Sequence, residues 1–155
     1  MKKQANSRHC FVCGVNNNNG LKINFYDEEV GKVSARVTVP GHFQGYPGIV
    51  HGGIIAAMLD EVSGRTVMSG ENPGRWMVTA SLNIRYRKPV PVEKPLRLEG
   101  TLKEDRGLII RAHGTILDEN GVLLAESDAV MTEAPMVMQM PIDDLTTEDW
   151  KIYPD

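Results

Sequence analysis

The feature that most constrains this chain is an imbalance of periodicities. Only one stretch has a helical apolar period: Ile55, Leu59, Val62 and Thr66, with Met58 adjoining. Before it, residues 21–26 alternate, and Val33, Ala35, Val37 and Val39 fall on one face of a run that stops at Pro40. These two runs predict a hairpin turning through residues 27–32. After it come four strand-like runs, at 76–87, 96–102, 108–117 and 122–132. Asp105-Arg106-Gly107 and Asp118-Glu119-Asn120-Gly121 read as hairpin turns between them. Strands and helices do not alternate, which excludes a parallel sheet built from βαβ units. One helix of about 18 residues cannot cover both faces of six strands. We therefore expect an α+β chain, an antiparallel six-stranded sheet wrapped around one long central helix, with its edges or outer face covered by a second copy.

The chain has 155 residues, the size of one domain. The pattern divides it into an irregular segment over 1–20, a domain over 21–133 and a tail over 134–155. Ser69-Gly70-Glu71-Asn72-Pro73-Gly74 is the expected helix stop. In the tail, Met136, Met138 and Met140 stand among Asp143, Asp144, Glu148 and Asp149; the methionines read either as gap fillers or as the lining of a flexible pocket. Seventeen Lys and Arg against 20 Asp and Glu give a net charge of -3, which argues against a nucleic-acid-binding domain. Two cysteines exclude a disulfide-rich scaffold. Met1-Lys2-Lys3 is basic, but no apolar segment follows it, and no run approaches the roughly 20 residues of a membrane span. The expectation is a cytoplasmic protein with reduced thiols and neither a nucleic-acid nor a membrane partner.

The chemistry concentrates in the run from Gly45 to Glu61. Pro40, Gly41, Gly45, Pro47 and Gly48 call for a shaped loop, after which His51-Gly52-Gly53 opens the helix. Glycines at a helix start leave backbone N–H groups bare at the positive end of the dipole, suited to a negative oxygen, although a plain hinge reads equally well. Asp60 has Ala56, Ala57 and Gly64 one turn away and Gly53 two turns back, with no Lys or Arg at i±4. A carboxylate on such a stripe lies where a backbone or a flat ligand approaches closely, or where two helices touch. Glu61 points about 100° away and pairs in sequence with Arg65 as an i,i+4 surface pair. Gly52 and Asp60, eight residues apart, are separated by roughly 12 Å of helical rise. An oxyanion donor and a base must each come within about 3 Å of the reacting atoms. If both act, two antiparallel copies of the helix must share the site.

At this run the chain resembles the hotdog-fold acyl-CoA thioesterases, and within them the phenylacetate-pathway and hydroxybenzoyl-CoA thioesterase type. The resemblance rests on His51-Gly52-Gly53 with Asp60 nine positions after the His, and on Val78-Thr79-Ala80-Ser81-Leu82-Asn83-Ile84-Arg85-Tyr86 ending in Lys88-Pro89-Val90. Cys10-Phe11-Val12-Cys13-Gly14 with Gly20-Leu21 resembles a subset that carries Cys-x-x-Cys-Gly before the first strand. The resemblance covers roughly residues 10–132. It implies that Asp60 is a general base or nucleophile, that the Gly52 N–H polarises the thioester carbonyl, that His51 orients the loop or bonds near the thioester, and that Thr79 positions the water or the carboxylate. Gly53 belongs to the same helix start. Many relatives carry Asn or Gln six residues before the His; this chain has Gly45 there and Gln44 one place earlier. Asn18 stands where the subset often has proline.

Other features carry less. Cys10 and Cys13 lack the second ligand pair of a structural zinc site, and His9 and His42 could complete one only by accident of folding, so neither a metal nor a cofactor is expected. The cysteines read instead as small thiols in a tight glycine turn. His113 reads as a strand-face histidine. Arg85, Arg87, Lys88 and Lys94 suit either the phosphates of coenzyme A or a solvated strand edge. The function expected is hydrolysis of an acyl-CoA thioester by a homodimer or homotetramer. A non-catalytic acyl-thioester or nucleotide-binding module is the alternative, because fold does not fix function. A dehydratase needs an Asp/His pair at the substrate, whereas His51 lies at the far end of the helix from Asp60.

Overall fold

The computed structural model describes residues 1–69, 75–135 and 149–154. Its elements in chain order are β1 (Lys2–Lys3), β2 (Asn6–Ser7), β3 (Phe25–Glu29), β4 (Lys32–Thr38), α1 (Gly52–Arg65), β5 (Met77–Tyr86), β6 (Pro95–Asp105), β7 (Ile109–Asp118), β8 (Leu123–Glu133) and β9 (Trp150–Lys151). The main sheet is antiparallel throughout, in the order β1-β3-β4-β6-β7-β8-β5, and β2 pairs with β9 in a separate two-stranded sheet.

The single helix packed on an antiparallel sheet agrees with the sequence pattern, but the sheet has seven strands rather than six. The seventh is β1, where Lys2 pairs with Asp27 and Lys3 with Tyr26. Two residues are too few to show a strand's period of two, so backbone pairing with β3 makes this strand and no side-chain pattern announces it. Segment 1–20 therefore holds two short strands.

The helix is shorter than expected, 14 residues, and passes through a 3₁₀ turn at Thr66–Met68 into extended backbone at Ser69. The rest of the expected stop, Gly70 to Gly74, lies outside the described residues, as do Met136, Met138, Met140, Asp143, Asp144 and Glu148 of the tail.

The apolar face of α1 sits on the sheet, with Ile55, Met58, Leu59, Val62 and Thr66 all buried. Facing them are Val33, Ala35, Leu98, Ile116 and Ala125. Contact between helix and sheet is close where they cross. A Cβ on Gly100 would stand 2.3 Å from the Val62 carbonyl oxygen, and one on Gly114 would stand 2.9 Å from Ser63 Oγ. Small residues in β6 and β7 thus let the helix backbone approach the sheet. The turns behave as read: Gly107 and Gly121 both take φ of +78°.

Strand β5 closes one end of the sheet, and its second edge pairs with no strand among the described residues. Thr79, Ala80 and Ser81 on it are exposed beside a bulge.

Candidate active site

The loop before the helix is shaped as its Gly and Pro content demands. A 3₁₀ turn at Gly41–Phe43 leads to an isolated bridge between Gln44 and Val50, and Gly48 takes φ of +80°. The His51 amide donates to the Phe43 carbonyl at 3.0 Å, which carries the chain into α1 at a fixed angle. His51 is the N-cap, at φ −58° and ψ 138°, and its Nδ1 accepts from the Gly53 amide at 2.9 Å. A ring nitrogen that accepts is unprotonated, so the neutral ring carries its proton on Nε2. The His51 carbonyl accepts from Ile54 and Ile55. Among the described residues the Gly52 amide donates to nothing, and it points out of the helix N-terminus as a free donor.

Tyr86, at the end of the strand motif, has a role that its sequence position does not signal. Its hydroxyl donates to the Gly52 carbonyl at 3.1 Å, bracing the first helical peptide from the end of β5. No local pattern signals this, because the contact spans 34 residues. Gly45, His51, Gly52, Tyr86 and Lys88 line one cavity of about 670 Å³, floored by buried Val50 and Val90. Gln44 is exposed beside it, with its Oε1 accepting from the Gly48 amide at 3.0 Å, so the side chain supports the loop turn. Arg85 is exposed on β5 and does not line this cavity, while Arg87 pairs with Glu126 at 2.7 Å.

Asp60 lies at the other end of α1. Thr79 Oγ1 donates to its Oδ1 at 2.7 Å, and Oδ2 has no partner among the described residues. Asp60 and Thr79 border a small cavity of about 140 Å³ that also touches Gly64, Met77 and Met131. The small-residue stripe around Asp60 is partly open: Gly53 is exposed, Ala56 and Gly64 are half-buried, Ala57 packs on the rim of the core, and a Cβ on Gly64 would meet nothing within 4 Å. One chain therefore presents a bare amide and a bare carboxylate oxygen in separate cavities.

Two other expectations are answered by contacts. Glu61 pairs with Arg65 through Arg65 Nε at 2.8 Å, but not on the surface, since the Arg65 side chain is 1% exposed. His113 does stand on a strand face, with Nδ1 2.8 Å from Asp128 Oδ1.

Residues 47–125, just over half of the chain, match the Thioesterase superfamily, and the chain belongs to that family. It is 41% identical over 66 residues to mouse acyl-coenzyme A thioesterase THEM4, a match that takes in 43% of this chain and 27% of that protein. The chain thus spans about a quarter of the length of that relative. It also resembles the crystal structure of RHA08564, a thioesterase superfamily protein, with a TM-score of 0.72 and 31% identity over 81% of this chain and 60% of that one. The fold matches smu.793 from Streptococcus mutans, solved bound to acetyl CoA, with a TM-score of 0.66 and 23% identity over 72% of this chain and 88% of that one. Among the described residues no helix is long and apolar enough to cross a membrane.

Proposed function

We propose that this protein hydrolyses an acyl-CoA thioester to the free acid and coenzyme A, with each active site built from two copies of the chain. The observation that carries the reading is the Asp60 carboxylate, held through Oδ1 by Thr79 while Oδ2 stays open on a partly uncovered helix face. In the reaction, Oδ2 takes a proton from water as the water oxygen attacks the thioester carbon. The oxyanion that forms is stabilised by the Gly52 amide of the other copy, aided by the dipole of its helix. Collapse expels the coenzyme A sulfur, which leaves with the proton. His51, whose Nδ1 accepts from the Gly53 amide, orients the loop and helix start that carry the Gly52 donor. Lys88 on the wall of the larger cavity and Arg85, exposed nearby on β5, meet coenzyme A phosphates; Gly45 shapes the cavity wall, Gln44 holds the loop turn beside it, and Gly53 belongs to the helix start. The THEM4 likeness and the superfamily match support the substrate class.

The dimer supplies what one helix does not, because about 12 Å of rise separates Gly52 from Asp60. The open edge of β5 beside the Asp60 stripe supports two-fold pairing there. We place the protein in the cytoplasm, with Cys10 and Cys13 reduced rather than joined in a disulfide. Within the family we assign it to the phenylacetate-pathway and hydroxybenzoyl-CoA thioesterase type.

Thiol release from a panel of aliphatic and aromatic acyl-CoA esters tests the reading. Turnover of at least one class that disappears in Asp60→Asn is expected. Tight acyl-CoA binding with no thiol release from any ester identifies a binding module instead and overturns it. Two readouts separate the roles of Asp60: a nucleophile forms an anhydride that hydroxylamine traps, and in a single turnover in H₂¹⁸O it takes up the label wherever water opens that anhydride at the Asp60 carbonyl; a base gives no trapped anhydride and sends all of the label into the released acid.

A further inference from the structure

Away from the proposed active site, the N-terminal turn brings its two cysteines to the helix. Cys10 Sγ, Cys13 Sγ and a carboxylate oxygen of Glu61 all lie within 4.8 Å of one another, and Cys10 Sγ is 3.9 Å from Glu61 Oε2. In a tetrahedral site with bonds of about 2.3 Å to sulfur and about 2.1 Å to oxygen, ligand atoms stand roughly 3.6–3.8 Å apart. Cys10 Sγ and Glu61 Oε2 therefore already stand near that spacing, and the other two separations, within 4.8 Å, exceed it by at most about 1 Å. We propose that Cys10, Cys13 and Glu61 bind one thiophilic divalent cation of the zinc class, with water in the fourth position.

The surroundings prepare these donors for a cation. The Val12 amide points at Cys10 Sγ at 3.3 Å, and the Ser7 amide at Cys13 Sγ at 3.4 Å. Backbone N–H groups aimed at both sulfurs stabilise thiolates. Gly14 closes the turn, its amide donating to the Cys10 carbonyl at 2.9 Å; a Cβ there would stand 2.2 Å from that oxygen.

Glu61 is oriented from behind. Arg65 Nε and Nη2 both lie 2.8 Å from Glu61 Oε1, which leaves Oε2 toward the sulfurs. Arg65 is itself held by the Ala5 carbonyl at 2.6 Å and sits 4.8 and 5.0 Å from the ring centres of Phe25 and Trp150. A carboxylate fixed by a second partner is how metal ligands are commonly aimed. The charges also close: two thiolates and one carboxylate against Arg65 and a dication sum to zero. Two soft sulfurs select zinc over magnesium or calcium. Bound there, the ion would tie the N-terminal turn to the residue next to Asp60. The inference does not depend on the proposed hydrolysis, and its test reads metal rather than turnover.

The test is a titration of the reduced, chelator-treated full chain with cobalt(II), which reports thiolate ligands by near-ultraviolet charge-transfer absorption and tetrahedral geometry by its visible bands. One equivalent per chain is expected, displaced by zinc. Cys10→Ser removes the charge-transfer band assigned to that thiolate, and Glu61→Gln weakens cobalt binding at least tenfold. Both side chains are partly exposed, so these variants fold where Cys13→Ser risks the core. No charge-transfer band in the wild-type chain overturns the proposal. So does an unchanged affinity in folded Glu61→Gln, or a reduced protein that binds no cobalt and instead closes a Cys10–Cys13 disulfide in air.

Discussion

Thr79 and Asp60 are joined by a 2.7 Å hydrogen bond from edge strand to helix, and this bond occupies one carboxylate oxygen while leaving the other open. The hydroxyl comes from β5, whose next residues, Ala80 and Ser81, are exposed. Rotation of the Asp60 side chain is thereby limited without use of the oxygen that faces outward.

Replacing Asp60 by Asn keeps the shape and a hydrogen-bond acceptor for Thr79. We expect normal folding and a fall in kcat of about 100-fold or more, the scale of a lost general base. Thiol release with a circular-dichroism control measures it; turnover within a few-fold of wild type removes Asp60 from the mechanism.

Thr79→Val removes the hydroxyl at nearly constant volume, and Thr79→Ser restores it. A hydrogen bond to a charged group contributes about 1.5–3 kcal/mol, so kcat should fall about tenfold or more in the valine variant and recover largely in the serine variant. Equal activity in all three proteins would show that the contact does not position the base.

Glu61→Gln tests the helix phase. Glu61 faces Cys10 and Arg65 rather than Thr79, so its kcat should fall far less than that of Asp60→Asn. A larger loss at Glu61 than at Asp60 would reverse the assignment.

Gly52→Pro deletes the free amide with little other change. Position 52 opens the helix, where proline fits, and His51 already has the extended φ and ψ that a residue before proline adopts. The variant should fold and be nearly inactive. Mixed with Asp60→Asn, it should form heterodimers in which one site collects both defects and the other neither. Recovery up to about half of wild-type activity per heterodimer is expected from that symmetry. Verified heterodimers with no activity, or a fully active monomer at low concentration, would defeat the shared site.

Gly100→Ala should destabilise the fold without touching either cavity, because its Cβ would meet the Val62 carbonyl oxygen at 2.3 Å. Overpacking costs about 1–3 kcal/mol, or roughly 2–10 °C in Tm for a chain of this size. Thermal unfolding followed by circular dichroism reads it.

The sequence alone determined the class of fold and the chemically active stretch. A single 3.6-residue period among runs with period two allows few arrangements, so the helix face Ile55, Met58, Leu59, Val62 and the antiparallel sheet could be read directly. His51-Gly52-Gly53 and the stripe around Asp60 were legible for the same reason: helix starts and helix faces are local, set by neighbours within one or two turns. Tertiary structure decided whatever joins residues far apart in the chain. Lys2–Lys3 becomes a seventh strand only because β3 offers an edge; Thr79 reaches Asp60 across 19 residues, and Tyr86 reaches Gly52 across 34. Ligand counting along the sequence found two cysteines and stopped. The fold adds Glu61, 51 residues from Cys10, because the N-terminal turn packs on the helix face that carries it. Hydrogen bonds and metal bonds act over about 3 Å of space, and no sequence period encodes which distant residues that space will contain.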